Sequence, residues 1–232
     1  MGTDVVIRQL QLVLESHVAR TAFYVLAALV AGFVLGRSRS FRPSREVAFQ
    51  NRGEALVTAL LQATFGPPDY HLMNHVTVRL DGGTTQIDHV LVSRFGVFVV
   101  ETKDYKGWIF GDPTQPKWTQ VLYWFRFTFQ NPIVQNARHI RAVQGLLDFL
   151  PPTAIKSVVV FTGDARFKTP IPPGVFYAPE VVAYLRNVTD EVMTLNRLQF
   201  CVGRLETARL AISGETDVEH VRYVSRKHGA AV

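Results

Sequence analysis

The chain is predicted to adopt an α/β fold in which a mixed β-sheet is flanked by helices. Two apolar segments, 85–93 and 97–103, are separated by a short turn and are typical of adjacent antiparallel strands. A β-branched run, 155–161, follows a helical pattern and is typical of a buried strand. The order of helix, three or four strands, helix, strand and helices is that of an α/β sandwich.

Apolar spacing and the positions of Gly and Pro predict the remaining elements. A helix is expected over 53–61, ended by the sequence 66–68, and residues 70–80 lead to a turn at 81–83. Further along the chain we expect a short strand at 106–111, an aromatic strand at 117–127, a helix at 132–150 that begins after Asn131, and helices at 179–186 and 190–212. The polar tail, 213–232, has no assigned structure.

Composition excludes several classes of protein. The chain has 232 residues, of which 47% are hydrophobic and 19% charged, and this is not the composition of a disordered chain. Its single cysteine, Cys201, excludes an internal disulfide framework and a cysteine-based zinc site. The formal charge of +6 favours polyanionic partners, either nucleic acid or anionic lipid headgroups.

Residues 21–36 form an apolar run without a charged side chain. As a helix this run spans roughly 24 Å, and extension back to Val18 brings it close to the roughly 30 Å hydrocarbon core if Arg20 reaches the interface. A buried core helix and a cleaved signal peptide remain alternatives. The run has no polar stripe and no preceding basic start, so a retained transmembrane anchor over 18–36 is favoured.

Basic residues set the expected orientation and divide the chain. Four arginines follow the apolar run closely, namely Arg37, Arg39, Arg42 and Arg45. Basic flanks stay in the cytoplasm, so the main domain is expected to face the cytosol. The predicted segments are a lead (1–17), the anchor (18–36), a basic linker (37–46), a main domain (47–165) and a C-terminal helical extension with its tail (166–232).

Three side chains on the two central strands suggest metal-dependent chemistry. Asp88 lies near the start of one strand and Glu101 near the end of the next, so antiparallel pairing brings their carboxylates together. Both can reach one Mg²⁺ ion, which binds a few carboxylates and keeps sites for phosphate oxygens. Lys103 shares a strand face with Glu101 and can orient a water or offset negative charge. A cross-strand ion pair is the alternative, and it leaves Asp88 unexplained.

Two helices offer further candidates, each with a simpler explanation. Glu54 lies in the first turn of a predicted helix, where a favourable interaction with the helix dipole is the preferred interpretation and a third site carboxylate the other. Gln135 and His139 lie four residues apart on one helix face. Gln135 can hydrogen-bond a phosphate or a metal-bound water, although a polar helix face explains it as well. His89 points away from Asp88 and is not counted as a ligand.

Aromatic residues concentrate between residues 108 and 129, with cations among them. They are Trp108, Trp118, Trp124, Phe125, Phe127 and Phe129, and the interleaved cations are Lys117 and Arg126. Aromatic rings and cations can stack on bases and contact phosphates. For most of these rings, packing within the sheet is the preferred interpretation.

Taken together, the motifs of residues 53–160 resemble the nuclease-related domain (NERD) family. The resemblance rests on Gly53-Glu54, Gln86-Ile87-Asp88-His89, Gly96 to Lys103, Lys106-Gly107, Trp118, Asn131-Pro132, Gln135-Asn136 and His139. It implies a restriction-endonuclease-like core of the PD-(D/E)xK type. It also implies that Asp88 and Glu101 bind Mg²⁺, that Lys103 is the catalytic base or charge stabiliser, and that Glu54 and Gln135 belong to the site. Ile87 replaces the proline of that motif, which affects the shape of the turn more than the chemistry.

The expected function is therefore that of a membrane-anchored, Mg²⁺-dependent nuclease whose nuclease-related domain covers 47–165. Mn²⁺ is a candidate substitute for Mg²⁺, and DNA is the expected substrate of an endonucleolytic reaction. The expected location is the cell membrane, with one span and a cytoplasmic catalytic domain. Two alternatives stay open: a catalytically silent module that binds nucleic acid or a protein partner at the membrane, and a structural membrane protein whose Glu-x-Lys is an ion pair.

Overall fold

The computed structural model describes residues 51–80 and 83–210. The predicted lead, anchor and linker, and the tail 213–232, lie outside these residues. Among the helices of the described part, none combines the length and the apolarity of a membrane span.

The described residues form four α-helices and nine strands. The helices are α1 (Arg52–Thr64), α2 (Pro132–Leu146), α3 (Ala178–Arg186) and α4 (Leu195–Ala208). The strands are β1 (Tyr70–Leu80), β2 (Gly83–Ser93), β3 (Gly96–Asp104), β4 (Gly107–Phe110), β5 (Lys117–Leu122), β6 (Phe125–Gln130), β7 (Ile155–Thr162), β8 (Ala165–Phe167) and β9 (Val175–Tyr177). A short 3₁₀ helix, Pro152–Ala154, precedes β7.

The predicted mixed sheet flanked by helices is confirmed. Five strands pair in the order β1-β2-β3-β7-β9. The first three strands are antiparallel, whereas β7 runs parallel to β3 and to β9. Four shorter strands form a second sheet in the order β6-β5-β4-β8, which the sequence pattern did not separate from the first.

Alternate residues of β3 build the cores on the two faces of the larger sheet. Val97 and Val99 lie in a cluster with apolar side chains of α2 and α4, whereas Phe98 and Val100 lie in one with α1 and α3. All four are almost fully buried. Burial of an apolar side chain of this size stabilises the fold by about 1.5–3 kcal/mol, so the central strands are held firmly on both faces.

Several predicted boundaries were wrong for local reasons. The segment 117–127 is not one strand but parts of β5 and β6, joined by the turn at Tyr123 and Trp124. The last helix begins at Leu195 and not at residue 190, because the side chain of Thr194 caps it by accepting a hydrogen bond from the backbone N–H of Arg197. The short strands β8 and β9 were missed, since three residues carry too little periodicity to be recognised.

Candidate active site

Asp88 and Glu101 lie where β2 and β3 separate. The two strands pair from Ser93 and Gly96 as far as His89 and Val100. The next residues on the two strands are Asp88 and Glu101, and there the carboxylate of Asp88 accepts a hydrogen bond from the backbone N–H of Thr102 at 2.7 Å. The structure therefore brings both predicted metal ligands to one end of the hairpin.

Glu101 is the centre of a buried network. Lys103 Nζ lies 2.6 Å from Glu101 Oε1, and His139 Nε2 lies 3.0 Å from Glu101 Oε2. The side chain of Glu101 is only 2% exposed. Lys103 also donates a hydrogen bond to Gln135 Oε1 at 3.0 Å, so the predicted site residues Glu101, Lys103 and Gln135 form one connected set.

Two asparagines place the helix that carries Gln135 and His139. Asn131 caps α2 by accepting a hydrogen bond from the backbone N–H of Ile133 at 2.9 Å. One turn later, the side-chain amide of Asn136 donates to the backbone carbonyl of Val99 at 2.9 Å. This contact fixes the start of α2 against β3, and it thereby turns Gln135 and His139 toward Lys103 and Glu101.

Close packing at the start of α1 brings Glu54 to the same place. A Cβ atom added to Gly53 would lie 2.6 Å from both Asp104 Cβ and Thr162 Oγ1, so only glycine permits this approach of α1 to the ends of β3 and β7. Glu54 follows directly, and its backbone N–H donates to Asn51 Oδ1 at 3.0 Å. Glu54 therefore lies in the first helical turn, and it is also close enough to Glu101 and Lys103 for their charges to influence its carboxyl group, so both interpretations stay predictions.

The carboxyl groups of the site influence one another. Burial, followed by the negative charges of Glu101 and Glu54, raises the pKa of Asp88 well above its usual value. Burial also raises the pKa of Glu54, with a contribution from Glu101. Burial alone would raise the pKa of Glu101, but the hydrogen bond from His139 and the charge of Lys103 outweigh it and lower that pKa.

Lys103 remains a cation in this setting. Burial would lower the pKa of Lys103, but the charge and hydrogen bond of Glu101, and the charge of Asp88, raise it above its usual value. One ammonium group therefore faces the three carboxyl groups of Glu54, Asp88 and Glu101. The site carries more negative than positive groups when these acids are ionised.

This donor set suits a divalent cation. Mg²⁺ is bound by oxygen ligands, commonly one or two carboxylates together with water and phosphate oxygens. Asp88 and Glu101 supply carboxylates, and a dication would offset the charge that raises the pKa of Asp88. Within 51–80 and 83–210, no three side chains of His, Cys, Asp or Glu are grouped so that they could hold a metal ion.

His139 is a site residue to which sequence reasoning gave no role. Its Nδ1 lies 2.8 Å from Thr85 Oγ1 on β2, while its Nε2 contacts Glu101, so it links β2 to β3 through α2. The available indications were its helical spacing with Gln135 and its place among the residues that carry the family resemblance. His89, which was not counted as a ligand, is buried with its Nδ1 3.0 Å from Asn74 Oδ1, and burial lowers its pKa to about 3.

The aromatic cluster divides into buried and exposed rings. Trp118 is buried and stacks on Phe161 with ring centroids 6.2 Å apart, so sheet packing is confirmed there. The same interpretation is wrong for Trp124 and Phe125, which are 94% and 65% exposed. Trp108 and Phe127 are each about half exposed. Nothing in the local sequence marks the point at which the strands leave the core.

Comparison with known proteins identifies the same region of the chain. Residues 50–162 match a family model described as Nuclease-related domain, NERD. An uncharacterized protein of Bacillus anthracis is 32% identical over 186 residues, which is 75% of this chain and 83% of that protein. No solved structure matches the chain. The matched range contains all five predicted site residues, namely Glu54, Asp88, Glu101, Lys103 and Gln135.

Proposed function

The chain belongs to the nuclease-related domain family, and we propose that it is a membrane-anchored, Mg²⁺-dependent nuclease that hydrolyses phosphodiester bonds in DNA. One observation carries this proposal. Asp88 and Glu101 lie side by side where two paired strands separate, and Lys103 forms an ion pair with Glu101. The mixed sheet around them supports a restriction-endonuclease-like core.

In the proposed reaction Asp88 and Glu101 hold the cation. A bound divalent ion polarises the phosphoryl group and lowers the pKa of its water. The raised pKa of Lys103 keeps the ammonium charged, which favours a role in offsetting negative charge over one as a base. Gln135 holds that ammonium in place at 3.0 Å, and Glu54 can accept a hydrogen bond from the attacking water.

Cleavage by the full chain tests the assignment of Lys103. We expect the wild type in detergent to cut plasmid DNA with Mg²⁺ or Mn²⁺, and Lys103→Met to cut at least about a hundredfold more slowly. Lys156→Met is the matched control, since Lys156 lies on the neighbouring strand and pairs with Phe98, away from the site. Undiminished cleavage by Lys103→Met would reject the catalytic role of Lys103. A wild-type protein that is inactive with both ions would reject the proposal that the chain is a nuclease.

Ion binding is measured separately from cleavage. Mg²⁺ that binds only the folded chain raises its stability by about 2.7 kcal/mol at a concentration one hundred times the dissociation constant. We expect this thermal stabilisation in the wild type and its loss in Asp88→Ala. Equal stabilisation of the two proteins would show that Asp88 is not a ligand.

The membrane anchor belongs to the proposal as well. It is supported by the charge-free run of residues 21–36 and by the arginines that follow it. We expect the full chain to remain in the membrane pellet after alkaline carbonate extraction, with residues 47–165 open to protease from the cytoplasmic side. Release into the supernatant would reject the anchor without affecting the nuclease proposal.

One observation favours a second candidate, a silent module that binds nucleic acid. Both carboxylate oxygens of Glu101 already have partners, Lys103 and His139, so the acid is stabilised without any added cation. A silent module would bind DNA in a salt-dependent manner and would not cut it with any divalent ion. The Glu101→Gln variant of such a module would bind DNA as tightly as the wild type.

A further inference from the structure

The hairpin of β5 and β6 carries exposed aromatic side chains that the proposed chemistry does not use. At its turn, Tyr123 and Trp124 are 85% and 94% exposed. Tyr123 has a φ angle of 55°, a conformation for which such turns normally employ Gly, Asn or Asp. A bulky residue is strained there, so the turn places aromatic rings in solvent at a cost in stability.

One face of the hairpin continues these rings back toward the candidate active site. Phe125, Phe127 and Phe129 alternate along β6 and therefore share a face. Phe125 is 65% exposed and Phe127 51%, while Phe129 packs on Tyr105 with ring centroids 4.6 Å apart. Tyr105 follows Lys103 by two residues, directly after the end of β3. An aromatic stripe thus runs from the neighbourhood of Lys103 to the hairpin turn.

The other face of this sheet is cationic. Trp108 lies directly across from Arg166 on β8 and from Val121 on β5, and Val121 lies across from Arg126 on β6. Lys168 Nζ lies 4.6 Å from the centroid of the Trp108 ring. The four strands of the sheet contain no Asp or Glu. Their charge is complementary to a polyanion.

A hollow lies at the turn end of the hairpin, beside the cationic face of the sheet. Its volume is about 530 Å³, and it is lined by Lys106, Trp108, Leu122, Tyr123, Asp164 and Arg166, among others. Pockets of roughly 300–1,000 Å³ accept small organic groups such as a base. Lys106 follows Lys103 by three residues, so their Cα atoms are at most about 11 Å apart. A segment of four residues, Lys103 to Lys106, therefore connects the candidate active site to the hollow.

We propose that the hairpin binds single-stranded nucleic acid and feeds the unpaired strand to the candidate active site. Bases stack on Trp124 and the phenylalanine stripe, and phosphates contact Arg126, Arg166 and Lys106. The feeding role rests on the proposed nuclease function, whereas the binding does not. Aromatic rings together with cations are the usual platform for unpaired bases.

The arrangement of charges argues against insertion of this hairpin into a lipid bilayer. Arg126 lies between Phe125 and Phe127 in the sequence, so insertion as far as Phe127 would carry its guanidinium into the hydrocarbon. Thr128 and Gln120 are further polar groups on the same two strands. A hydrated polyanion satisfies these groups, and an acyl chain does not.

Binding of a labelled oligothymidine by the full chain in detergent and EDTA tests this proposal independently of cleavage. We expect Trp124→Ala to bind about tenfold more weakly, as expected for loss of one stacked base, and Trp124→Phe to bind within about twofold of the wild type. Phe200→Ala is the matched control, because Phe200 is an exposed ring on another element, α4, and its loss should leave binding unchanged.

Tryptophan emission gives a second readout. Trp124 is the most exposed of the three tryptophans, and stacking of thymine on it should quench emission in the wild type but much less in Trp124→Phe. Equal affinity of the wild type and Trp124→Ala would overturn the proposal. So would a Trp124→Ala variant that partitions less onto anionic vesicles while it binds the oligonucleotide normally. A wild-type protein that binds the oligonucleotide but cuts no DNA with Mg²⁺ or Mn²⁺ would overturn only the proposed nuclease function, together with the feeding role that rests on it.

Discussion

The carboxylate of Asp88 accepts a hydrogen bond from the backbone N–H of Thr102, one residue beyond the last pair of the ladder between β2 and β3. This contact crosses the opening between the strands and holds Asp88 beside Glu101. A half-buried carboxylate, Asp88, and a buried one, Glu101, are thereby kept close, although their mutual repulsion opposes it. Natural proteins retain such unfavourable pairs mainly where they function.

Asp88→Asn should stabilise the ion-free protein and remove its response to Mg²⁺. The pKa of Asp88 is raised in the folded chain, so its contribution to stability is greatest at low pH and is lost as the pH rises through the folded value. At neutral pH, Asn should raise the free energy of unfolding by about 1 kcal/mol, or the melting temperature by about 2–4 °C. Melting curves with and without Mg²⁺ check this, and a lower melting temperature in EDTA would contradict it.

Glu54→Gln separates the two interpretations of that residue. If Glu54 acts in the site, cleavage should fall about tenfold or more, while stability changes little because Gln can still bond Asn51. If only the interaction of Glu54 with the helix dipole matters, the free energy of unfolding of the variant should fall by about 0.3–1 kcal/mol, and the variant should cut DNA at the wild-type rate. Cleavage rates and urea unfolding of the same preparation distinguish these results.

Gly53→Ala should displace the start of α1. The new Cβ atom would clash with Asp104 and Thr162 at 2.6 Å, so we expect a loss of about 1–3 kcal/mol and reduced cleavage as Glu54 moves. The matched control is Gly145→Ala in α2, where no atom lies within 4 Å of the added Cβ. Gly145→Ala should raise the free energy of unfolding by about 0.5–1 kcal/mol. Similar effects of the two substitutions would show that the contact of Gly53 is not tight.

His89 should make the fold sensitive to mild acid. Burial lowers the pKa of His89 from 6.5 to about 3, so the unfolded chain binds a proton below pH 6.5 and the folded chain does not. Its contribution to stability is present above pH 6.5 and is lost as the pH falls toward 3, by about 1.4 kcal/mol per pH unit. His89→Gln should flatten this slope in urea unfolding from pH 7 to 5. An unchanged slope would show that folding does not lower the pKa of His89.

The central part of the candidate site could be predicted from the sequence because it is local. Asp88, Glu101 and Lys103 lie on one hairpin, where a short turn sets the register and the two-residue period sets the face. Glu54 and Gln135 could not be placed in this way. Helical spacing shows which residues share a face, but it does not show which strand that face will contact.

The sequence by itself determined the mixed sheet, its buried central strands and the pairing of Asp88 with the Glu101–Lys103 strand, since these depend on periodicity and on one turn. Only the tertiary structure decided that α1 and α2 bring Glu54, Gln135 and His139 to that strand end. It also decided that the hairpin turn at Trp124 projects into solvent. The physical reason is that the burial of a residue and the charges around it depend on segments that are distant in the chain. The local sequence does not specify which of those segments will pack against the residue.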